Sequence, residues 1–168
     1  MEKAVIYVFS GTGNTRFVAE LYKKYLTDYE TTIYDVRSRS ILETDNLNGS
    51  EKKLVLKKNK KEAFFEVPSP SEFDLVGFGH PVYGFNVPLP FFEFAKLLPK
   101  IQSSSAKKAF VFKTSGEGLY INEFSSQKLI ALLEKKGFSF VSDKHYVMPY
   151  NMIFRHTPAM VKREALYA

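Results

Sequence analysis

The chain has 168 residues, with 24 Lys and Arg against 18 Asp and Glu, a formal charge of +6. Hydrophobic residues make up 45% and aromatics 15%, a globular composition long enough for one domain with its own core. The absence of cysteine excludes disulfides, thiolate zinc sites, iron–sulfur ligation and thiol nucleophiles within this chain.

Ala4 to Phe9 is a continuous apolar run rich in β-branched and aromatic residues, halted by Ser10-Gly11. It reads as a strand buried on both faces, as in a parallel sheet. The run is too short for the apolar region of a signal peptide, so a soluble, cytoplasmic protein is expected. Phe17, Val18, Leu21, Tyr22, Tyr25 and Leu26 recur at helical spacing and predict a helix over Asn14 to Asp28. A second strand is expected over Thr31 to Val36.

Between Arg37 and Glu72 the rhythm breaks. Leu54-Val55-Leu56 and Ala63 to Val67 flank a lysine-rich turn at Asn59, which reads as a hairpin insertion over about residues 40–70. A deformed helix near Ile41-Leu42 is the alternative. Residues 51–62 hold six Lys and two Glu, so most of the net charge sits in this one segment. A local lysine cluster is a weaker footprint of nucleic acid than a basic stripe through the fold. A solvated hairpin tip is the plain reading, a docking patch for an acidic partner the sharper one, and nucleic acid is not expected.

Phe73 to Gly79 predicts a third buried strand, and Phe91 to Leu98 a helix entered through Pro88 and Pro90. Ala109 to Lys113 is a fourth strand, followed by a helix over Glu123 to Lys136 that ends at Gly137. Phe138 to Val147 is a fifth, and Thr157-Pro158 opens a last helix with a cap residue and a proline at its first position. That helix reaches Tyr167-Ala168 with no stop signal, which fits a chain cut from something longer. No apolar run approaches the roughly 18–20 residues of a membrane helix. Strands alternating with helices imply one doubly wound domain over residues 1–168.

In such folds ligands bind beyond the carboxyl ends of the strands. Three polar, Gly-containing loops fall there. Ser10-Gly11-Thr12-Gly13-Asn14-Thr15 joins a strand to a helix, where glycines let several N–H groups face one anion and the helix dipole favours it. A dinucleotide fingerprint would need Gly at Arg16, and the triphosphate pattern G-x-x-x-x-G-K-[ST] is missing, which leaves a compact terminal phosphate. An ordinary capped Gly-Thr-Gly turn is the competing reading. Pro81-Val82-Tyr83-Gly84-Phe85-Asn86 follows the third strand, and Thr114-Ser115-Gly116-Glu117-Gly118-Leu119-Tyr120 the fourth. Either is an unexceptional turn alone, with Tyr83, Phe85 or Tyr120 serving only to pack. Side by side they could sandwich a flat heteroaromatic ring, with backbone amides reading its edge.

At these residues the sequence resembles the flavodoxins. Ser10 to Thr15 after a buried strand looks like their phosphate loop, and Arg16 to Ala19 continue the pattern. FSGTGNT, HPVYGFN and Met148 to Asn151 followed by Arg155 look more closely like the flavodoxin half of fused flavodoxin–ferredoxin proteins. The resemblance implies a five-stranded parallel sheet of order 2-1-3-4-5 with helices on both faces, and FMN as cofactor. The phosphate would sit at Ser10 to Thr15 and the isoalloxazine between the Tyr83 and Gly116 loops, Glu117, Gly118 and Tyr120 included. It also implies an electron carrier whose redox partner is ferredoxin-like or acidic. Val8 stands where flavodoxins commonly carry an aromatic, the chain is basic where they are acidic, and the cysteine-rich ferredoxin half is absent.

Two rival functions are kept: an FMN-dependent quinone or NAD(P)H reductase, and a non-flavin binding module using residues 52–61. His80 could touch the ligand or a proton path, though a satisfied loop histidine is the plainer reading. His145 and His156 lack partner spacing, so no metal site is expected. No Asp ends the first or third strand, which argues against a phosphoacceptor domain of the same fold.

Overall fold

The computed structural model describes residues 1–36, 40–42, 53–58, 61–102, 106–118 and 120–149. The expected helix from Thr157, together with His156, Arg155 and the turn at Asn59, lies outside them.

Strand β1 (Glu2–Val8) leads into helix α1 (Asn14–Tyr25), and β2 (Tyr29–Asp35) returns beside it. β3 (Ser40–Leu42), β4 (Lys53–Lys58) and β5 (Lys61–Glu66) follow. β6 (Leu75–Pro81), α2 (Leu89–Leu97), β7 (Lys107–Ser115), α3 (Gln127–Glu134) and β8 (Phe138–Val147) complete the described chain. The main sheet has the order β2-β1-β6-β7-β8 and every pair in it is parallel. Counting only its own strands, that is 2-1-3-4-5, the flavodoxin-like order. β3, β4 and β5 form a separate antiparallel sheet, with Lys53↔Glu66 to Lys58↔Lys61 in register between β4 and β5. The region expected as a hairpin therefore pairs as one, and Ile41-Leu42 is strand, so the helical alternative falls.

Alternation along the parallel strands sorts the core into two layers. Val5, Tyr7, Val76, Phe78 and Val111 meet α2 and α3 through Phe91, Phe94, Leu129 and Leu133. Ala4, Ile6, Val8, Phe110 and Phe112 meet α1 through Val18 and Ala19. Helices thus cover both faces, as strands apolar on both sides require.

Several boundaries differ from expectation. α1 stops at Tyr25, where Leu26 N–H closes the last bond on Tyr22, because β2 starts two residues early and needs the turn at 27–28. α2 starts at Leu89 with Pro90 inside its first turn, where a missing N–H costs nothing. The segment expected to begin a helix at Glu123 opens as a 3-10 turn, Tyr120–Phe124, and α3 follows from Gln127. Gly137 does close that element, at φ 93°. Among the described residues no helix is long and apolar enough to cross a membrane.

Candidate functional site

The strand order reverses direction between β1 and β6, the switch point at which doubly wound sheets leave a crevice. The loops after β1, β6 and β7 converge there. Gly11, Thr12, Asn14 and Thr15 from the first, Pro81, Val82 and Tyr83 from the second, and Thr114, Ser115 and Gly116 from the third line one cleft with Pro149. None of these residues carries a formal charge. An anion in this cleft would meet amides and hydroxyls.

The first loop is braced by its own hydroxyl. Ser10 Oγ accepts from the N–H of Gly13 at 3.1 Å and of Arg16 at 3.3 Å, satisfying a donor in the first turn of α1. Gly13 sits at the start of α1 in the left-handed region, φ 99°. Asn14 Nδ2 donates to the Pro149 carbonyl at 2.9 Å, tying the loop to the chain beyond β8. Thr15 is buried and shares a hydrogen with Thr114 Oγ1 at 2.8 Å, locking the first loop to β7. Arg16 turns away, toward Asp35 at 3.2 Å and Glu20 at 3.6 Å.

The second loop is a two-residue turn. Tyr83 and Asn86 exchange backbone hydrogen bonds of 3.0 and 3.1 Å across Gly84 and Phe85, whose φ angles of 55° and 62° are those of a type I′ turn. Tyr83 packs edge-on against Phe9 with ring centres 6.4 Å apart, and its hydroxyl reaches the first loop. A Cβ added at Gly11 would lie 2.6 Å from that oxygen, so any side chain there would have to push the Tyr83 hydroxyl away from the first loop.

The third loop folds on side-chain bonds. Ser115 Oγ donates to the Glu117 carbonyl at 2.5 Å, and Asn122 Nδ2 donates to the same carbonyl at 3.0 Å. Glu117 enters through its backbone, not its carboxylate. Tyr120 is 77% exposed, pairs edge-on with Phe124, and does not line the cleft. Nor do Ser10, Gly13, Gly84, Phe85, Asn86, Glu117 or Gly118. Asn86 instead lines a second cavity of about 220 Å³ with Val87, Leu89, Phe92, Ser125 and Lys128.

Behind the cleft, on the α3 side, a polar row crosses the carboxyl ends of three strands: His80, Lys113 and His145 are in register. His80 is fully buried, its Nε2 3.1 Å from Ser126 Oγ and its Nδ1 3.0 Å from the Pro81 carbonyl. Burial first, and the Lys113 charge beside it second, push it down to about 4, while the Pro81 bond opposes them. Lys113 Nζ is held by Asp143 Oδ2 at 2.8 Å and the Glu123 carbonyl at 2.6 Å. His145 bridges Ser115 and Glu123. Sequence reasoning did not place Lys113, Asn122, Glu123, Asp143, His145 or Pro149 at the site. Lys113 left a signal, a cation closing an otherwise apolar buried strand, and Pro149 another, inside the Met148 to Asn151 segment that carried the resemblance; His145 was weighed only as a metal ligand.

The sequence matches no protein-family model and no curated protein. The fold resembles solved structures at low identity. Flavodoxin 1 from Bacillus cereus is 17% identical, with TM-score 0.52 over 98% of this chain and 93% of that one. A WrbA-like flavodoxin from Agrobacterium tumefaciens is 16% identical, with TM-score 0.56 over 99% and 92%. A Fusobacterium nucleatum flavodoxin mutant bound to flavin mononucleotide is 14% identical, with TM-score 0.52 over 84% and 68%. These likenesses establish a flavodoxin-like fold.

Proposed function

We propose that this chain is an FMN-binding electron-transfer protein. The observation that carries the reading is the convergence of the loops after β1, β6 and β7 on one uncharged cleft at the switch point. Bound FMN would supply one- and two-electron transfer. Backbone amides and hydroxyls of Ser10 to Thr15 would hold its phosphate at the positive end of α1. Tyr83 and Phe85 on one side and the Gly116 backbone on the other would flank the ring. The cleft itself is small, about 70 Å³, against the ~300–1,000 Å³ of typical ligand pockets. A ring of that size would lie across the cleft with an edge in water, open to electron exchange.

The chain reads as one domain with an insertion over about residues 40–70. Its partner is a redox protein with an acidic or ferredoxin-like face that meets the lysines of residues 52–61, in the cytoplasm. Nucleic acid is the weaker use of that charge.

The test is uptake of FMN by the purified protein, followed by absorbance and quenching of flavin fluorescence. Thr12→Asp places a carboxylate in an exposed loop of the cleft, where like charge would repel a phosphate. It should weaken FMN at least about tenfold, or 1.4 kcal/mol, without lowering the unfolding temperature. A colourless protein that fails to quench added FMN would overturn the reading.

The separate cavity beside Asn86, at the end of the second loop, favours a second reading, an FMN-dependent reductase that takes a substrate as well as the flavin. It requires sustained NAD(P)H oxidation with a quinone acceptor by this chain alone.

A further inference from the structure

The hydroxyl of Ser115 has three partners and one proton. Its oxygen lies 2.5 Å from the Glu117 carbonyl oxygen, 2.6 Å from His145 Nε2 and 3.3 Å from Asn122 Nδ2. A carbonyl oxygen only accepts, so the proton points at Glu117. The Ser115 oxygen then accepts from Asn122 and from His145, which requires a hydrogen on Nε2. The other ring nitrogen, Nδ1, stands 2.8 Å from Glu123 Oε1, a half-exposed carboxylate that also only accepts. Both ring nitrogens must donate.

We propose that His145 is held as an imidazolium between Ser115 and Glu123 and is the positioning residue of the third loop. By donating to Ser115 it aims the single Ser115 proton at Glu117 and so fixes the 115–117 turn that walls the cleft. That this turn serves a ligand rests on the FMN reading above.

The surrounding charges agree. Among the described residues, the charged groups facing His145 are Lys113 from β7, Asp143 on its own strand and Glu123 from the 3-10 turn; Glu117 presents only its carbonyl. His80, beyond Lys113 in the row, is neutral near pH 7. Lys113 is neutralised by Asp143 at 2.8 Å, and the His145 side chain is 4% exposed. The four groups sum to zero only when His145 is charged. Were His145 neutral with its hydrogen on Nδ1, Nε2 would demand the Ser115 proton and the bond to Glu117 would break. With its hydrogen on Nε2 instead, a bare Nδ1 would face the carboxylate.

A Ser–His–carboxylate chain can also activate a nucleophile. Here the serine proton points away from the imidazole, so Ser115 is clamped, not primed for attack.

The test begins with nitrogen NMR on the ligand-free full chain. Both ring nitrogens of His145 should carry hydrogen, one bonded to Ser115 and the other to Glu123. A bare ring nitrogen overturns the proposal. His145→Gln cannot donate to Ser115 and Glu123 together, so the amides of 115–117 should shift in it; amides that stay in place overturn the positioning role. Glu123→Gln keeps an acceptor without the charge and should leave one ring nitrogen bare, which provides a second measure if His145→Gln does not fold. With FMN as probe, His145→Gln should weaken binding several-fold. Unchanged binding overturns the role in binding. If the NMR results hold but FMN never binds, the clamp stands and the FMN reading falls. Ester hydrolysis lost in Ser115→Ala would overturn the clamp in favour of a nucleophile.

Discussion

Phe85 is the one non-glycine among the described residues with a positive φ, at 62°. A bulky side chain in the left-handed region costs roughly 1–2 kcal/mol. The ring gains little packing in return, since it is 50% exposed. Strain held without local compensation points to a functional demand on the turn. Asn tolerates this backbone, so Phe85→Asn should raise stability by about 1 kcal/mol, or about 3 °C in Tm for a chain of this size. If the ring flanks the flavin, the same change should weaken FMN about fivefold, within the ~0.5–1.5 kcal/mol of an aromatic contact. Thermal melts and FMN titration check the two effects separately; a variant neither more stable nor weaker in binding removes any role for Phe85. The loops that carry Ser10, Tyr83 and Phe85 were legible as turns because turn chemistry is local, although the left-handed backbone of Phe85 was not. Nor was His145. Its meaning depends on β7 and β8 aligning Lys113 with His145 and on a 3-10 turn bringing Glu123 to it, and no spacing along one chain encodes that alignment.

Elements are where sequence periodicity speaks most clearly. The apolar runs at Ala4–Phe9 and Ala109–Lys113 read as buried parallel strands and are such, while the strand order itself was implied by the flavodoxin resemblance and not by their pattern. The alternation in β6 carries a further meaning. Gly77 and Gly79 face α1, directly under the rings of Phe110 and Phe112, which in turn lie against Tyr22 of α1 at 4.9 and 5.0 Å. A Cβ on Gly77 would be 2.5 Å from Phe110 Cζ, and one on Gly79 would run into the Phe112 ring. The two phenyl groups thus occupy volume that side chains on β6 would otherwise fill. Gly79→Ala should cost about 2 kcal/mol by overpacking, read as a lower urea midpoint at unchanged m-value. Phe112→Leu in the same chain should recover part of that loss, a non-additivity expected of touching residues. Additive effects would show that the clash is relieved elsewhere. The start of α3 was less legible, because Asn122 and Ser125 bond to each other within a 3-10 turn while the apolar spacing runs through undisturbed.

At the scale of the whole molecule, the +6 charge says little about the fold, since most of it lies in residues 51–62, a stretch of sequence that supplies no strand of the parallel sheet. Stability is tied more closely to one uncharged group at the sheet's centre. The Pro81 carbonyl can only accept, so Nδ1 of His80 carries the hydrogen and Nε2 accepts from the Ser126 hydroxyl just ahead of α3. A neutral ring satisfies both partners. Protonating it would place a further cation in the core beside Lys113, and burial already holds it down to about 4 from an ordinary 6.5. Between these values the unfolded chain binds a proton that the native chain refuses. Stability should therefore fall as pH drops from 6.5 toward 4 and stop falling from this cause below 4. One group so shifted contributes a loss on the order of 3 kcal/mol across that window. His80→Gln keeps a hydrogen-bonding group for Ser126 without the titration. Its urea stability, measured alongside the wild type at several pH values in the window, should decline less steeply by up to about 1.4 kcal/mol per pH unit. Parallel declines in the two proteins would show that His80 takes up its proton in the folded state and that the buried row tolerates the extra charge.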